Sequence, residues 1–428
     1  MKILVLGCCF GLATGCGNSD KSKTEGVVDM GAADLTPPVD MTGDTPSTVY
    51  PAIRPTGPQL TNSGGPILSS PVFVAVTFPN EALLTDIEAF TSQVGATSYW
   101  SAVTSEYGIG AGTGGTPVHL TEIAPTTIKD SEIRTWLAGH LEGTHDGFPA
   151  PAVGQVFAIF YPTTTTVTLD LGGTSSVGCK DFGAYHSETK LSNGMKVAYA
   201  IMPRCPSAGS GATDLEQLTL SASHEFVEAS EDPFPGTQPA YQTVDFDHII
   251  YGFLGGEGAD LCEIDPSADY IPTDFPYAVQ KAWSNKSALA GHNPCVPLAT
   301  NDVYYNAILG QQEAVDIPEG LTNDFTAMSS GWMIGAGTSQ TIDVQLYSDA
   351  STSGEITVKA VDYLANHGAN KMPSNLAFAF DRTSGVNGDT VHLTITVKGE
   401  SQNGFEIFAV RSTVDSKSHS TLGLIEVP

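Results

Sequence analysis

The sequence predicts an α/β (α+β) domain followed by an all-β sandwich. Two observations carry this. Between Pro71 and Met202 buried-strand runs alternate with helical periodicity, whereas from about Asp302 only short alternating strands separated by turns remain. A third feature sits at the centre of the first part: Ser221–Pro233, SASHEFVEASEDP, has helical spacing and carries three groups able to bind or serve a metal ion.

The chain opens with Lys2, the apolar run Ile3–Ala13 and the junction Thr14-Gly15-Cys16, the layout of a bacterial lipoprotein signal. Residues 1–15 are expected to be removed, leaving Cys16 lipidated at the mature N-terminus. Ala13 stands where that pattern prefers an aliphatic residue, with Leu12 one place further back. Gly17, rather than aspartate, matches outer-membrane sorting. The expected location is therefore exported, lipid-anchored, at the outer membrane or cell surface of a Gram-negative bacterium. Residues 16–66 have little apolar periodicity and much Asp, Thr, Pro and Gly, so they are expected to form a disordered polar tether.

Residues 67–300 are assigned to the α/β domain. Val72–Phe78, Val156–Tyr161 and Val197–Met202 are apolar runs of strand length. Glu81–Val103 and Ile128–Leu141 have helical spacing. The sandwich takes residues 301–428, with strands at Ile342–Tyr347, Glu355–Val361, Leu376–Phe380, Val391–Val397, Phe405–Arg411 and Leu422–Val427. No later stretch approaches 18 consecutive apolar residues, so membrane attachment is expected through the lipid alone.

The helix beginning after Thr213 has capping-box spacing to Glu216, and Asp232-Pro233 stops it. Within it, His224 and Glu228 are four residues apart and share a face. Glu225 lies one step round. This His-Glu-x-x-Glu arrangement supplies two metal ligands and a carboxylate placed to take a proton from metal-bound water, the division of labour in a zincin-like hydrolase. Between Arg204 and Lys281 the sequence holds no Lys or Arg and fourteen acids. Clustered carboxylates without basic partners call for a divalent counter-ion. Asp245, Asp247 and His248 form a weaker cluster with the pattern of a solvated turn.

Five motifs occur in order: Gly178-Cys179 through Gly183-Ala184-Tyr185-His186; Tyr199-Ala200 to Cys205; Ser223-His224-Glu225 to Asp232-Pro233; Glu257-x-x-Asp260-Leu261-Cys262; and Trp283-Ser284-Asn285 to Cys295. Over roughly residues 68–298 this run resembles the phosphate-induced, Exordium-like proteins and their bacterial relatives. The resemblance implies export and a metal site. The plant members are secreted and wall-associated, with no settled peptidase activity. Glu257-x-x-Asp260 also looks like the second helix of gluzincin peptidases, which implies Glu257 as third ligand and Asp260 as the residue orienting the far ring nitrogen of His224. The spacing differs by one, so these roles are open to exchange. His186 is a candidate ligand or hydrogen-bond donor to substrate.

One imidazole with two carboxylates cancels a divalent charge, so the bound water is less acidic than at a more positive centre. Zn²⁺ is expected, with Ca²⁺ or Mn²⁺ as the oxygen-preferring alternatives. Of seven cysteines, Cys8 and Cys9 leave with the signal and Cys16 takes the lipid. Cys179, Cys205, Cys262 and Cys295 remain for two disulfides, with three pairings open. Neighbour pairing, Cys179–Cys205 and Cys262–Cys295, is favoured because each pair brackets one segment. A net charge of −29 argues against nucleic-acid partners. Two functions follow: a zinc peptidase with Glu225 as general base and a peptide or protein substrate, or a metal-stabilised surface protein whose sandwich contacts polysaccharide or protein.

Overall fold

The computed structural model describes residues 47–428 apart from 53, 144–146, 172–173, 207–210, 300–301, 318–326, 367–372 and 402–403. The signal 1–15, the lipidation site Cys16 and the tether as far as residue 46 lie outside the described residues.

The apolar runs of the first region form one mixed sheet. Val72–Thr77 pairs in parallel with Gln155–Tyr161, which pairs in parallel with Lys196–Pro203. Tyr185–Lys190 closes one edge in antiparallel register, with His186 opposite Ala200. These central strands read as unbroken hydrophobic runs because both faces are covered. Phe73, Ala75, Val156, Ala158 and Met202 point to one side and pack with the helices Leu84–Gln93, Ser98–Thr104 and Asp214–Glu231. Val74, Val76, Phe157, Ile159 and Ile201 point to the other and meet Ile133, Leu137 and Leu141 of the helix Asp130–Glu142.

The described strands from Tyr305 to Glu426 form two facing sheets. One orders Tyr305–Leu309, Ser339–Ser348, Thr390–Val397 and Leu376–Phe380. The other contains Ala327–Met333, Lys417–Glu426, Phe405–Val414 and Ile356–Asp362 among its six strands. Alternate residues of both sheets, including Val344, Leu393, Ile395, Val358, Phe408 and Val410, fill a shared apolar core around Trp332.

Two expectations are corrected. The chain is not an α/β zincin-like domain joined to a sandwich: it is mostly β, 35% strand against 21% helix, so the strand-dominated class replaces the mixed one. The expected helical spans do fall on helices, Leu84–Gln93, Ser98–Thr104, Asp130–Glu142 and Asp214–Glu231, but strands outnumber them. The sequence reading missed two-residue strands such as Leu60–Thr61, Thr243–Val244, Val279–Gln280 and Cys295–Val296, which backbone pairing forms without any apolar alternation. Nor is the tether unstructured up to residue 66. Leu60–Thr61 pairs antiparallel with Thr243–Val244. The Leu60 amide donates to Asn285 Oδ1 at 2.7 Å, and Asn387 Nδ2 donates to the Ser47 and Val49 carbonyls at 2.9 and 3.1 Å. An extended strap held through its backbone leaves no side-chain periodicity to detect.

The disulfides are Cys179–Cys205 and Cys262–Cys295. Both lie in the first region. Neither disulfide, however, touches the apolar core of the sandwich.

Candidate metal centre

The Asp214–Glu231 helix places the central groups. Thr213 caps it, accepting from the Glu216 amide while the Glu216 carboxylate accepts from the Thr213 amide. Phe226 anchors its apolar face, stacked on Phe73 at 4.3 Å between ring centroids. With that face fixed, His224, Glu225, Glu228 and Glu231 are all driven inward, each 0–1% exposed. Buried carboxylates are rare unless paired or bound to metal.

The loop after Leu254 brings Glu257 and Asp260 to the same place. Gly255 has φ +123°, and a Cβ there would stand 1.8 Å from Asp260 Oδ2, so only glycine lets the aspartate turn in. Glu228 Oε1 accepts from the Ala259 and Asp260 amides at 3.2 and 3.1 Å. Its other oxygen, Oε2, lies 3.0 Å from His224 Nε2, and Asp260 Oδ1 lies 3.3 Å from that same nitrogen.

The protonation of His224 follows from its far side. Gln280 Nε2 donates to the Ala259 carbonyl at 2.7 Å, which turns Gln280 Oε1 toward His224 Nδ1 at 3.2 Å. An amide oxygen only accepts, so Nδ1 carries the proton and Nε2 presents a lone pair. That lone pair faces two carboxylate oxygens. His224 Nε2, Glu228 Oε2 and Asp260 Oδ1 all lack a hydrogen-bond partner among the described residues despite these separations. Donors bonded tetrahedrally at about 2.1 Å stand about 3.4 Å apart. Both separations from His224 Nε2 match that spacing, and all three atoms lie within 4.8 Å of one another.

A second grouping surrounds His186 on the edge strand. Its Nε2 donates to the Asp232 carbonyl at 3.1 Å, and its Nδ1 faces Glu225 Oε2 at 3.2 Å and Glu228 Oε2 at 3.9 Å. Glu257 Oε1 lies 3.5 Å from Nε2.

Without a cation the site would hold protons instead. Burial, reinforced by Glu228, pushes Asp260 up to about 8. Burial and the neighbouring carboxylates push Glu257 and Glu231 well above the usual carboxylate range. Burial works against an imidazolium at His224, but Glu228 and Asp260 outweigh it and raise the group.

The predicted ligands His224 and Glu228 are therefore brought together, and Asp260 rather than Glu257 joins them. Gln280, not Asp260, orients the far nitrogen of His224. Nothing in the sequence pattern marks Gln280, because its role depends on the Val279–Gln280 strand lying beside the helix. Asp245 and His248 pair at 2.6 Å away from this cluster, and Asp245 Oδ2 accepts from the Gln59 amide, so they serve the strap. A separate cavity, lined by Trp283, Tyr304, Tyr347, Asp265 and His419, includes none of the clustered residues. No described helix is long and apolar enough to cross a membrane.

No family model and no curated protein matches the chain. Over 23% of its length it is similar to 86% of the titin M3 domain, at 13% identity and TM-score 0.16. Over 35% it is similar to 90% of domains 4 and 5 of the S-layer protein SbsC, at 9% identity and TM-score 0.17. Over 29% it is similar to 27% of a family 123 glycoside hydrolase from Clostridium perfringens, at 9% identity and TM-score 0.19. None of these likenesses bears on the cluster.

Proposed function

We propose that this is an exported, lipid-anchored cell-surface protein whose first region is built around a buried divalent metal ion, and that the ion is structural. His224, Glu228 and Asp260 are its ligands, with Zn²⁺ the first candidate and Mn²⁺ or Ca²⁺ the alternatives. The observation that carries the reading is closure: every ligand is completely buried, whereas catalytic zinc keeps a position open to water and substrate. The ion would tie the helix to the loop carrying Asp260. Two disulfides support an oxidising compartment. The sandwich would then be the part that meets polysaccharide or protein at the surface.

Peptidase chemistry is the competing reading. Glu225 adjoins His224 on the helix, and its Oε1 has no hydrogen-bond partner among the described residues. A general base contributes roughly 10²–10⁴-fold. The deciding experiment measures metal by elemental analysis and casein cleavage in the wild-type chain, in Glu225→Gln and in the His224→Ala/Glu228→Ala double variant. The structural reading expects metal in wild type and Glu225→Gln, little in the double variant, and no cleavage by any. Cleavage lost selectively in Glu225→Gln would establish the enzyme. Equal metal in wild type and double variant would remove the site. For the anchor, Cys16→Ser should shift the protein into the soluble fraction; a variant still bound to membrane would refute lipidation at Cys16.

A further inference from the structure

The cluster holds more acid than one ion offsets. Glu225, Glu228, Glu231, Asp232, Glu257 and Asp260 are all at most 1% exposed. One divalent cation balances two carboxylates. Both oxygens of Glu257 are buried without a hydrogen-bond partner among the described residues, as is Glu228 Oε2. Around the His186 ring, Glu257 Oε1 lies 3.5 Å from Nε2 and Glu228 Oε2 lies 3.9 Å from Nδ1, and the three residues each offer one ligand atom, all within 4.8 Å of one another.

The ring of His186 sets the same problem as His224. Nε2 spends its proton on the Asp232 carbonyl, which can only accept. Nδ1 is then a lone pair directed at Glu225 Oε2 and Glu228 Oε2. A lone pair facing carboxylate oxygens requires either a second ring proton or a cation between them.

We propose that a second divalent cation is held by His186, Glu228 and Glu257, sharing Glu228 with the first. This rests on the metal reading above. The sharing is set by backbone geometry: two amides occupy Glu228 Oε1, so only Oε2 is left to face both histidines, at 3.0 Å from His224 and 3.9 Å from His186. Bridged pairs of ions stand about 3.5–4 Å apart, a separation that one shared oxygen permits. The donor set of one imidazole and carboxylates on each side suits Zn²⁺ or Mn²⁺.

The test counts ions in the full chain and asks whether they interact. Elemental analysis after loading with Zn²⁺ should give two ions per chain, falling to one in Glu257→Gln, whose side chain keeps its size. Loaded with Mn²⁺, the wild type should show the exchange-coupled electron paramagnetic resonance spectrum of a pair, and Glu257→Gln the six-line signal of an isolated ion. One ion per chain, unchanged by Glu257→Gln, would overturn the proposal and assign His186 a second proton instead. No ion at all would overturn the underlying metal reading, a separate failure. If Glu257→Gln fails to fold, the wild-type count and spectrum still decide.

Discussion

Between the two sheets of the sandwich the buried centre is Val344, Leu393, Ile395, Val358, Phe408, Val410 and Trp332; in the first region an equally buried centre holds six carboxylates and two imidazoles. The sandwich core is stabilised by removal of apolar surface from water, which needs nothing but the chain. The carboxylate cluster is destabilising on its own, since each charge loses hydration and repels the next. The space between the sandwich sheets thus needs only apolar burial, whereas on the proposed reading the first region would also need ions. It would need them even though Phe405, Ile407, Leu422 and Leu424 of the sandwich join its apolar cluster.

The sharpest break between them is chelation. Removing metal from the full chain with EDTA should destabilise the first region on the order of 10 kcal/mol, the scale of structural zinc. Calorimetry should show its transition collapse while the sandwich transition stays in place; coincident loss of both would mean one cooperative unit. Disulfide removal is the next largest effect. Replacing Cys262 and Cys295 by Ser should cost the first region about 3–4 kcal/mol in denaturant melts and leave the sandwich unchanged. The converse probe is Ile395→Ala, a fully buried sandwich position, expected to cost about 3 kcal/mol with metal content unaltered.

The smallest effect tests the seam. Burial alone would raise Asp265, but His419 on the last strand and the Ser267 hydrogen bonds outweigh it and hold Asp265 down at about 2. A depressed carboxylate contributes stability that is present above its unfolded value near 4 and lost as pH falls toward 2. The difference corresponds to about 2.5 kcal/mol. Asp265→Asn should flatten the stability profile between pH 4 and 2; an unchanged profile would show that the pair contributes nothing.

The same contrast explains what the sequence revealed. All six strands expected in the second region fall on observed strands, because alternation there reflects a sheet with one face in the core. The site helix was legible through Thr213, Glu216 and Asp232-Pro233, and with it His224 and Glu228. The exchange of Glu257 and Asp260 was left open there, and the choice depends on the positive φ of Gly255 and on two amides fixing Glu228. Gln280 and the strap residues Ser47, Val49 and Leu60 were hidden for a related reason: tertiary hydrogen bonds, not periodicity, define them. The helical spans Glu81–Val103 and Ile128–Leu141 fall on observed helices; the fold class was missed because many short strands carry no apolar alternation.

The strap also has a mechanical meaning. It is stitched to the sandwich through Ser47, Val49 and Asn387, then to the first region through Leu60 and Val244. Tension along the chain ahead of Ser47 meets the Asn387 bonds first and the short Leu60–Val244 ladder second. A pull from that end should therefore peel the strap in two steps before loading either core. Single-molecule force spectroscopy of Asn387→Ala should show the first step weakened, since the Ser47 amide still donates to the residue 387 carbonyl, and the second unchanged.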